Sequence, residues 1–312
     1  MTDLFSQRIE WLGIALRVPE DWQIIRHGLS PKKGRLSFVD RRRQRMELVW
    51  TRCDREPDLE RMIDNQKSRE LELDRQTEFQ LRRGPKDWIA LSCRGAGPTV
   101  VTRAVRFHRP SLRLIEANVL TQKDEPNAQE LVWGLLGGIE VAGRAEQARH
   151  WSAFDINVTV PPGYRLIKTR VLPLDVTLRF GSGDAPAGSA RGPEVSIRRM
   201  GMAGAWYSGD PESLIRRDLD KVRFAGFQAA QLRGHPVTRA EGEERVAPFF
   251  RLLGRRRKVR ILLWECEPEN ALYQVTALAP LKNPVSPDDF QVDCGPPGDR
   301  QTPPRSDGSG HA

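Results

Sequence analysis

Ile14–Phe38 reads IALRVPEDWQIIRHGLSPKKGRLSF, and Ile156–Phe180 reads INVTVPPGYRLIKTRVLPLDVTLRF. Set over one another at a constant offset of 142, without gaps, the two stretches share seven identities in 25 positions. These are Ile14/Ile156, Val18/Val160, Pro19/Pro161, Ile25/Ile167, Pro31/Pro173, Leu36/Leu178 and Phe38/Phe180. Leu16/Val158, Trp22/Tyr164, Ile24/Leu166 and Arg26/Lys168 are conservative pairs, so the apolar positions agree almost throughout. A period this long is foreign to solenoids and indicates two tandem copies of one domain.

Working outward, each copy continues in the same order. A charged turn, Asp40–Gln44, follows Phe38, and an alternating strand runs through Met46, Leu48 and Trp50. In the second copy the turn's place is taken by a Gly/Ala/Pro/Ser insert, Gly181–Pro193, which composition marks as a flexible, enlarged hairpin loop. Each copy then enters a short helix through proline, at Pro57-Asp58-Leu59 and Pro211-Glu212, since proline and acid suit a helix N-terminus. Strands follow at about 77–82, 87–94, 99–107 and 112–120, and at about 227–232, 236–241, 246–253, 258–266 and 271–278. Arg109-Pro110-Ser111 and Gly254–Arg257 read as equivalent hairpin turns, and Asn127–Ile139 as an amphipathic stretch. The fold class expected is α+β: two duplicated domains, 5–143 and 149–294, each an antiparallel sheet with helices packed on it. The tail 295–312 has too few apolar groups to order and is expected to be disordered.

The order of elements around Val18-Pro19-Glu20-Asp21-Trp22 and Val160-Pro161-Pro162-Gly163-Tyr164 resembles the PsbP/Mog-like superfamily. That group includes photosystem II extrinsic subunits, a Ran-binding protein and type VI secretion adaptor chaperones. The resemblance implies an antiparallel sheet used as a binding scaffold, and a cytoplasmic adaptor or chaperone role for a protein partner. It transfers no binding residues. The motif itself has a structural explanation: proline ends ladder pairing and the aromatic plugs the core edge.

The chain has 312 residues and a net charge of +9, from 50 basic and 41 acidic groups. The excess is even, with 27 basic and 22 acidic groups in 1–150 and 23 and 19 in 151–312, so there is no basic arm of the kind that binds nucleic acid. No apolar run reaches transmembrane length, and no export signal is recognisable. The four cysteines, Cys53, Cys93, Cys266 and Cys294, show neither CxxC nor zinc-finger spacing, so reduced thiols are expected and metal binding is disfavoured on spacing.

No GxSxG, HExxH, Walker A or GxGxxG motif occurs in context, so no enzyme and no cofactor are expected. Glu265, Glu267 and Glu269 alternate as on one strand face, yet Pro268 interrupts them. The candidate contacts are Arg41, Arg42 and Arg43 at one hairpin tip and Arg255, Arg256, Arg257 and Lys258 at another. Trp206 and Tyr207 join them as an aromatic pair before a helix. The arginines suit an acidic protein partner, or in the alternative a nucleic-acid backbone bound electrostatically.

Overall fold

The computed structural model describes residues 4–142, 150–182, 192–244, 257–281 and 285–294. The chain divides into two compact units, Met1–Asp155 and Ile156–Ala312.

The first unit begins with β1 (Gln7–Trp11) and β2 (Ile14–Val18), joined by Leu12 and Gly13, both at positive φ. Such a two-residue turn matches the right-handed twist of the strands it connects. Next come β3 (Gln23–His27), β4 (Lys33–Val39), β5 (Gln44–Arg52), α1 (Leu59–Leu73), β6 (Glu78–Arg83), β7 (Ile89–Arg94), β8 (Thr99–His108), β9 (Arg113–Gln122), α2 (Ala128–Gly138), β10 (Glu140–Val141) and β11 (His150–Ala153). β3–β9 form a seven-stranded antiparallel sheet in the order β3-β4-β5-β9-β8-β7-β6. A smaller sheet runs β10-β2-β1-β11. Its centre is Trp11, fully buried, edge-on to His27 and Trp151 and donating to Gly28 O at 2.7 Å.

The second unit contains β12 (Ile156–Thr159), β13 (Tyr164–Leu172), β14 (Asp175–Ser182), β15 (Glu194–Gly201), α3 (Ala203–Trp206), α4 (Pro211–Asp218), β16 (Val222–Leu232), β17 (His235–Glu244), β18 (Arg257–Cys266), β19 (Ala271–Pro280) and β20 (Gln291–Asp293). Its seven-stranded antiparallel sheet runs β13-β14-β15-β19-β18-β17-β16. Strand for strand this is the order of the first sheet. The residues matched in sequence occupy matched places: Leu36 and Leu178, and Phe38 and Phe180, are all fully buried.

Helix packing repeats as well. Asp58 caps α1 by accepting from Arg61 N, and Ile63 packs on Ile89, Leu91, Cys93 and Val105. Asp210 caps α4 by accepting from Ser213 N, and Leu214 and Ile215 pack on Val222, Ala240, Val259 and Ile261. Lys67 of α1 lies over Phe79 of β6, and Arg216 of α4 lies over Phe227 of β16.

Two expectations are corrected. The α+β assignment fails: the described residues are 55% strand and 19% helix, so the fold is β-rich. The helical stretches that suggested otherwise form α1, α2 and α4, of 15, 11 and eight residues, and are outweighed by the strands, whose central members run to ten and carry large buried side chains. The hairpin turn matching Arg109–Ser111 is Glu267–Glu269, not Gly254–Arg257. Both are single 3-10 turns with proline at the centre, closed by a left-handed residue, Leu112 (φ 51°) or Asn270 (φ 47°). The proposed strand 246–253, most of the insert and the tail lie outside the described residues. Among the described residues no helix is long and apolar enough to cross a membrane.

Candidate functional site

A sheet that does not close leaves two outer strands, each with a row of backbone donors and acceptors facing away from the ladder. In the two seven-stranded sheets four strands hold this position: β3 and β6 in the first, β13 and β16 in the second. β3 contains Arg26, β6 contains Glu78, Arg82 and Arg83, and β13 contains Arg165, Lys168 and Arg170. β16 differs. It spans eleven residues with one charge, Arg223 near its start, and the nine from Phe224 to Leu232, FAGFQAAQL, carry none. Ala225, Gly226, Gln228, Ala229 and Gln231 are exposed, while Phe224 and Phe227 are half-buried against the α4 core.

Beside this edge lies a cleft of about 520 Å³, lined by Gln228, Arg239, Glu241, Arg260, Pro287 and Asp288 among others. Its walls are ion-paired: Arg239 binds both oxygens of Asp288 at 2.7 and 2.8 Å, and Glu241 accepts from Lys258 at 2.7 Å. Lys258 and Arg260 hold the Glu241 carboxyl below its ordinary range despite partial burial, so the cleft floor stays charged at neutral pH.

The arginines singled out in sequence are placed differently from one another. Arg41, Arg42 and Arg43 are exposed on the β4–β5 turn, which Asp40 closes by accepting from Arg42 N and Arg43 N at 2.7 and 2.8 Å. They border a second cleft, of about 810 Å³, in which Asp21, Asp40, Asp124 and Glu125 stand among the basic groups. Beneath them Arg45 is buried, stacked over Trp22 and bonded to Glu125. Arg257 and Lys258 are residues of β18, not of a tip. Arg257 donates to the carbonyls of Gly192 and Leu278, and Lys258 pairs with Glu241. Arg255 and Arg256 lie outside the described residues. Trp206 is exposed with its Nε1 donating to Gly201 O at 3.0 Å, while Tyr207 packs against the α4 core. The structure brings none of these groups together with the β16 edge cleft except Lys258, through Glu241.

Glu265, Glu267 and Glu269 do not share a strand face. Glu267 and Glu269 belong to the 3-10 turn after β18, and Glu269 accepts from Tyr273 OH and pairs with Arg199. What spacing arguments passed over is a cluster of His235, Cys266 and Cys294, whose potential ligand atoms all lie within 4.8 Å of one another. His235 Nε2 is 3.3 Å from Cys294 Sγ. Burial pushes the Cys294 thiol up to about 12, the wrong direction for a catalytic nucleophile. The sequence signal was present in pieces, a histidine opening one strand and a cysteine closing the next, but their pairing becomes visible only with the strand register.

No family model matches the chain, and no curated protein matches it. The PsbP/Mog-like resemblance therefore rests on the two Val-Pro motifs alone. Among solved structures, the chain is similar to the apo structure of the immunity protein TplEi of T6SS from Pseudomonas aeruginosa, at 9% identity over 92% of this chain and 96% of that one, with a TM-score of 0.37. It is similar to the Tle4–Tli4 complex at 10% identity over 88% and 85%, with a TM-score of 0.34. The TplEi structure complexed with "L" peptide gives 8% identity over 90% and 88%, with a TM-score of 0.33. Likenesses this distant carry no part of the functional reasoning.

Proposed function

We propose that the chain is a non-catalytic protein-binding module of two tandem repeat domains, 5–143 and 149–294, that takes an extended segment of a protein partner onto β16 as an added strand. One observation carries this reading: nine consecutive uncharged residues on an outer strand, where β3, β6 and β13 all carry the charges that discourage strand addition. Main-chain hydrogen bonds supply affinity in such a mode, and pockets for alternate side chains supply selectivity. Phe224 and Phe227 offer an apolar rim on one face of the added strand. The Arg239–Glu241 cleft offers polar contacts on the other. The partner segment is accordingly extended, low in charge and amphipathic across its two faces. An adaptor or chaperone role is the concrete form of the proposal. Its compartment is the cytoplasm, where neighbouring thiols such as Cys266 and Cys294 stay reduced.

Electrostatic binding of nucleic acid gains no support from the geometry, because carboxylates interleave with Arg41–Arg43 and the described members of the second basic run are engaged within the sheet. The test combines capture and mapping. A partner isolated with the intact chain is added back, and hydrogen exchange is read along β16. The reading expects slowed exchange at 224–232 and loss of at least tenfold in affinity for Gln228→Lys/Gln231→Lys, with Gln80→Lys on β6 as a neutral control. Unchanged β16 exchange together with full binding by the double variant overturns it.

A further inference from the structure

We infer that His235, Cys266 and Cys294 form a binding site for a thiophilic metal ion, Zn²⁺ in the reduced protein, with one coordination position left open.

Three separate elements deliver the ligands. His235 opens β17 directly after a tight turn in which Arg233 and Gly234 both have positive φ. Cys266 closes β18. The β17–β18 ladder pairs Val237 with Trp264, and carrying that register two residues further sets His235 opposite Cys266 on the same sheet face. Cys294 follows β20, which pairs with β12. Arg233 fixes the approach of that third element, binding Val292 O and the Asp293 carboxylate, so the residue before Cys294 is tied to the turn before His235.

The spacing suits a tetrahedral ion. Zn–S of about 2.3 Å and Zn–N of about 2.0–2.1 Å imply ligand–ligand separations of roughly 3.5–3.8 Å. The 3.3 Å between His235 Nε2 and Cys294 Sγ, with all three ligand atoms inside 4.8 Å, needs adjustments of only a few tenths of an ångström to about 1 Å. Trp264 Nε1 donates to Cys294 Sγ at 3.4 Å, which makes that sulfur an acceptor, as a metal-bound thiolate is. No carboxylate belongs to the triad, so its chemistry selects borderline-soft ions over Mg²⁺ or Ca²⁺. Two cysteines and one histidine, with a fourth position open, form a donor set known for zinc. Cys266 is buried while His235 and Cys294 are partly exposed, which leaves an entry path on their side. Ion binding replaces two S–H bonds by two S–metal bonds and passes two protons to solvent.

Among the described residues the cluster occurs in one copy only. The position of Cys266 at the end of β18 is held in the first sheet by His108 at the end of β8, whose Nδ1 is bound to Ser111 Oγ at 2.7 Å.

The experiment uses the full chain, kept reduced with a non-thiol reductant and stripped of metal. Zn²⁺ is titrated with thermal melting as one readout, and Co²⁺ absorption as another. Expected are one equivalent of Zn²⁺ bound, a melting temperature raised by about 5–10 °C at a hundredfold excess over the dissociation constant, and a thiolate-to-cobalt charge-transfer band. Cys294→Ser and His235→Gln should each weaken uptake at least tenfold and diminish the band, with Cys53→Ser unchanged. Circular dichroism confirms that each variant is folded. Absence of stoichiometric uptake by the reduced wild-type chain overturns the inference, as does uptake that Cys294→Ser leaves intact. Neither outcome bears on strand addition at β16, which is read with different residues.

Discussion

Replacing Arg45 by Met removes a cation from a site that cannot readily replace it with water. Arg45 is 4% exposed, lies over Trp22 at 5.6 Å, donates to Glu125 Oε2 at 3.1 Å and approaches Asp40 at 3.6 Å. Methionine keeps most of the packing volume but takes from Glu125 its buried partner, leaving only Gln122 N–H at 2.9 Å and the exposed Arg43 at 3.7 Å. Breaking a buried pair from one side costs about 3–5 kcal/mol. Because the Glu125 side chain keeps 18% exposure, the lower end applies, about 3 kcal/mol. For a unit of this size that lowers the melting temperature by roughly 6–12 °C.

The pH dependence gives the same prediction a second readout. Burial raises the Glu125 carboxyl, but bonds from Arg45 and from Gln122 N–H, with the charges of Arg45 and Arg43, outweigh it and hold it below its ordinary value. A carboxyl depressed in the folded state contributes stability above its unfolded pKa and loses it as pH falls through the folded pKa. Wild-type protein should therefore lose stability on acidification below about pH 4.3 through this group. In Arg45→Met burial acts with less opposition, and that acid-side loss should shrink or reverse. Urea unfolding at pH 7 and across pH 3–5, with Glu125→Gln and the double variant, completes a cycle. A coupling energy below about 0.5 kcal/mol, with unaltered acid dependence, would refute the electrostatic account of this buried arginine.

Other expectations follow from individual contacts. Phe180→Ala and Phe38→Ala, both at fully buried positions, should each cost about 3–5 kcal/mol in urea unfolding. Gly34→Ala should destabilise by about 1–3 kcal/mol, because the added Cβ falls 2.3 Å from the buried Trp50 ring; a variant as stable as wild type would show that the ring can move aside. Leu112→Asn should stabilise by about 0.5 kcal/mol, since asparagine tolerates the left-handed backbone that leucine is forced into there and already fills the matching place as Asn270. Arg198 holds the Asp175 carboxyl low through bonds of 2.8 and 2.9 Å, so this group's stabilisation is present above about pH 4 and lost on acidification. Arg198→Met should remove that acid-side slope as well as stability at neutral pH.

The repeat was legible where sequence order and spatial order coincide. Between Ile14 and Phe38 the chain runs along adjacent strands, so the buried positions Val18, Leu36 and Phe38 recur at a fixed offset as Val160, Leu178 and Phe180. Farther on, loop lengths differ and the offset changes. His108-Arg109-Pro110-Ser111-Leu112 matches Cys266-Glu267-Pro268-Glu269-Asn270 at an offset of 158, and the pattern of charges reverses from basic to acidic. Placing a strand at 246–253 and taking the turn after it therefore selected Gly254–Arg257, whereas proline and the left-handed residue closing the turn mark the true equivalent. The β16 edge was half visible for a related reason. Its strand was read from 227, because Gly226 and the bulge between Phe224 and Gly226 break the alternation that marks a strand.

Edge position is a property of the whole sheet, and no local pattern reports it. Phe224–Leu232 reads as an ordinary neutral strand until β16 is found outside β17 with no further strand beyond it among the described residues. The comparison between copies then becomes informative. β6, its counterpart, is six residues long and ends Leu81-Arg82-Arg83; β16 is eleven and ends Ala230-Gln231-Leu232. Both keep an aromatic under a helix-borne cation, Lys67 over Phe79 and Arg216 over Phe227, so that contact is common to the two copies. The added length and the scarcity of charge are not common to them. Those are the features that separate the copies, and an edge freed of protective charge gains nothing for stability while exposing the molecule to strand pairing. Length without charge at an outer strand is the combination that the proposed strand addition at β16 requires.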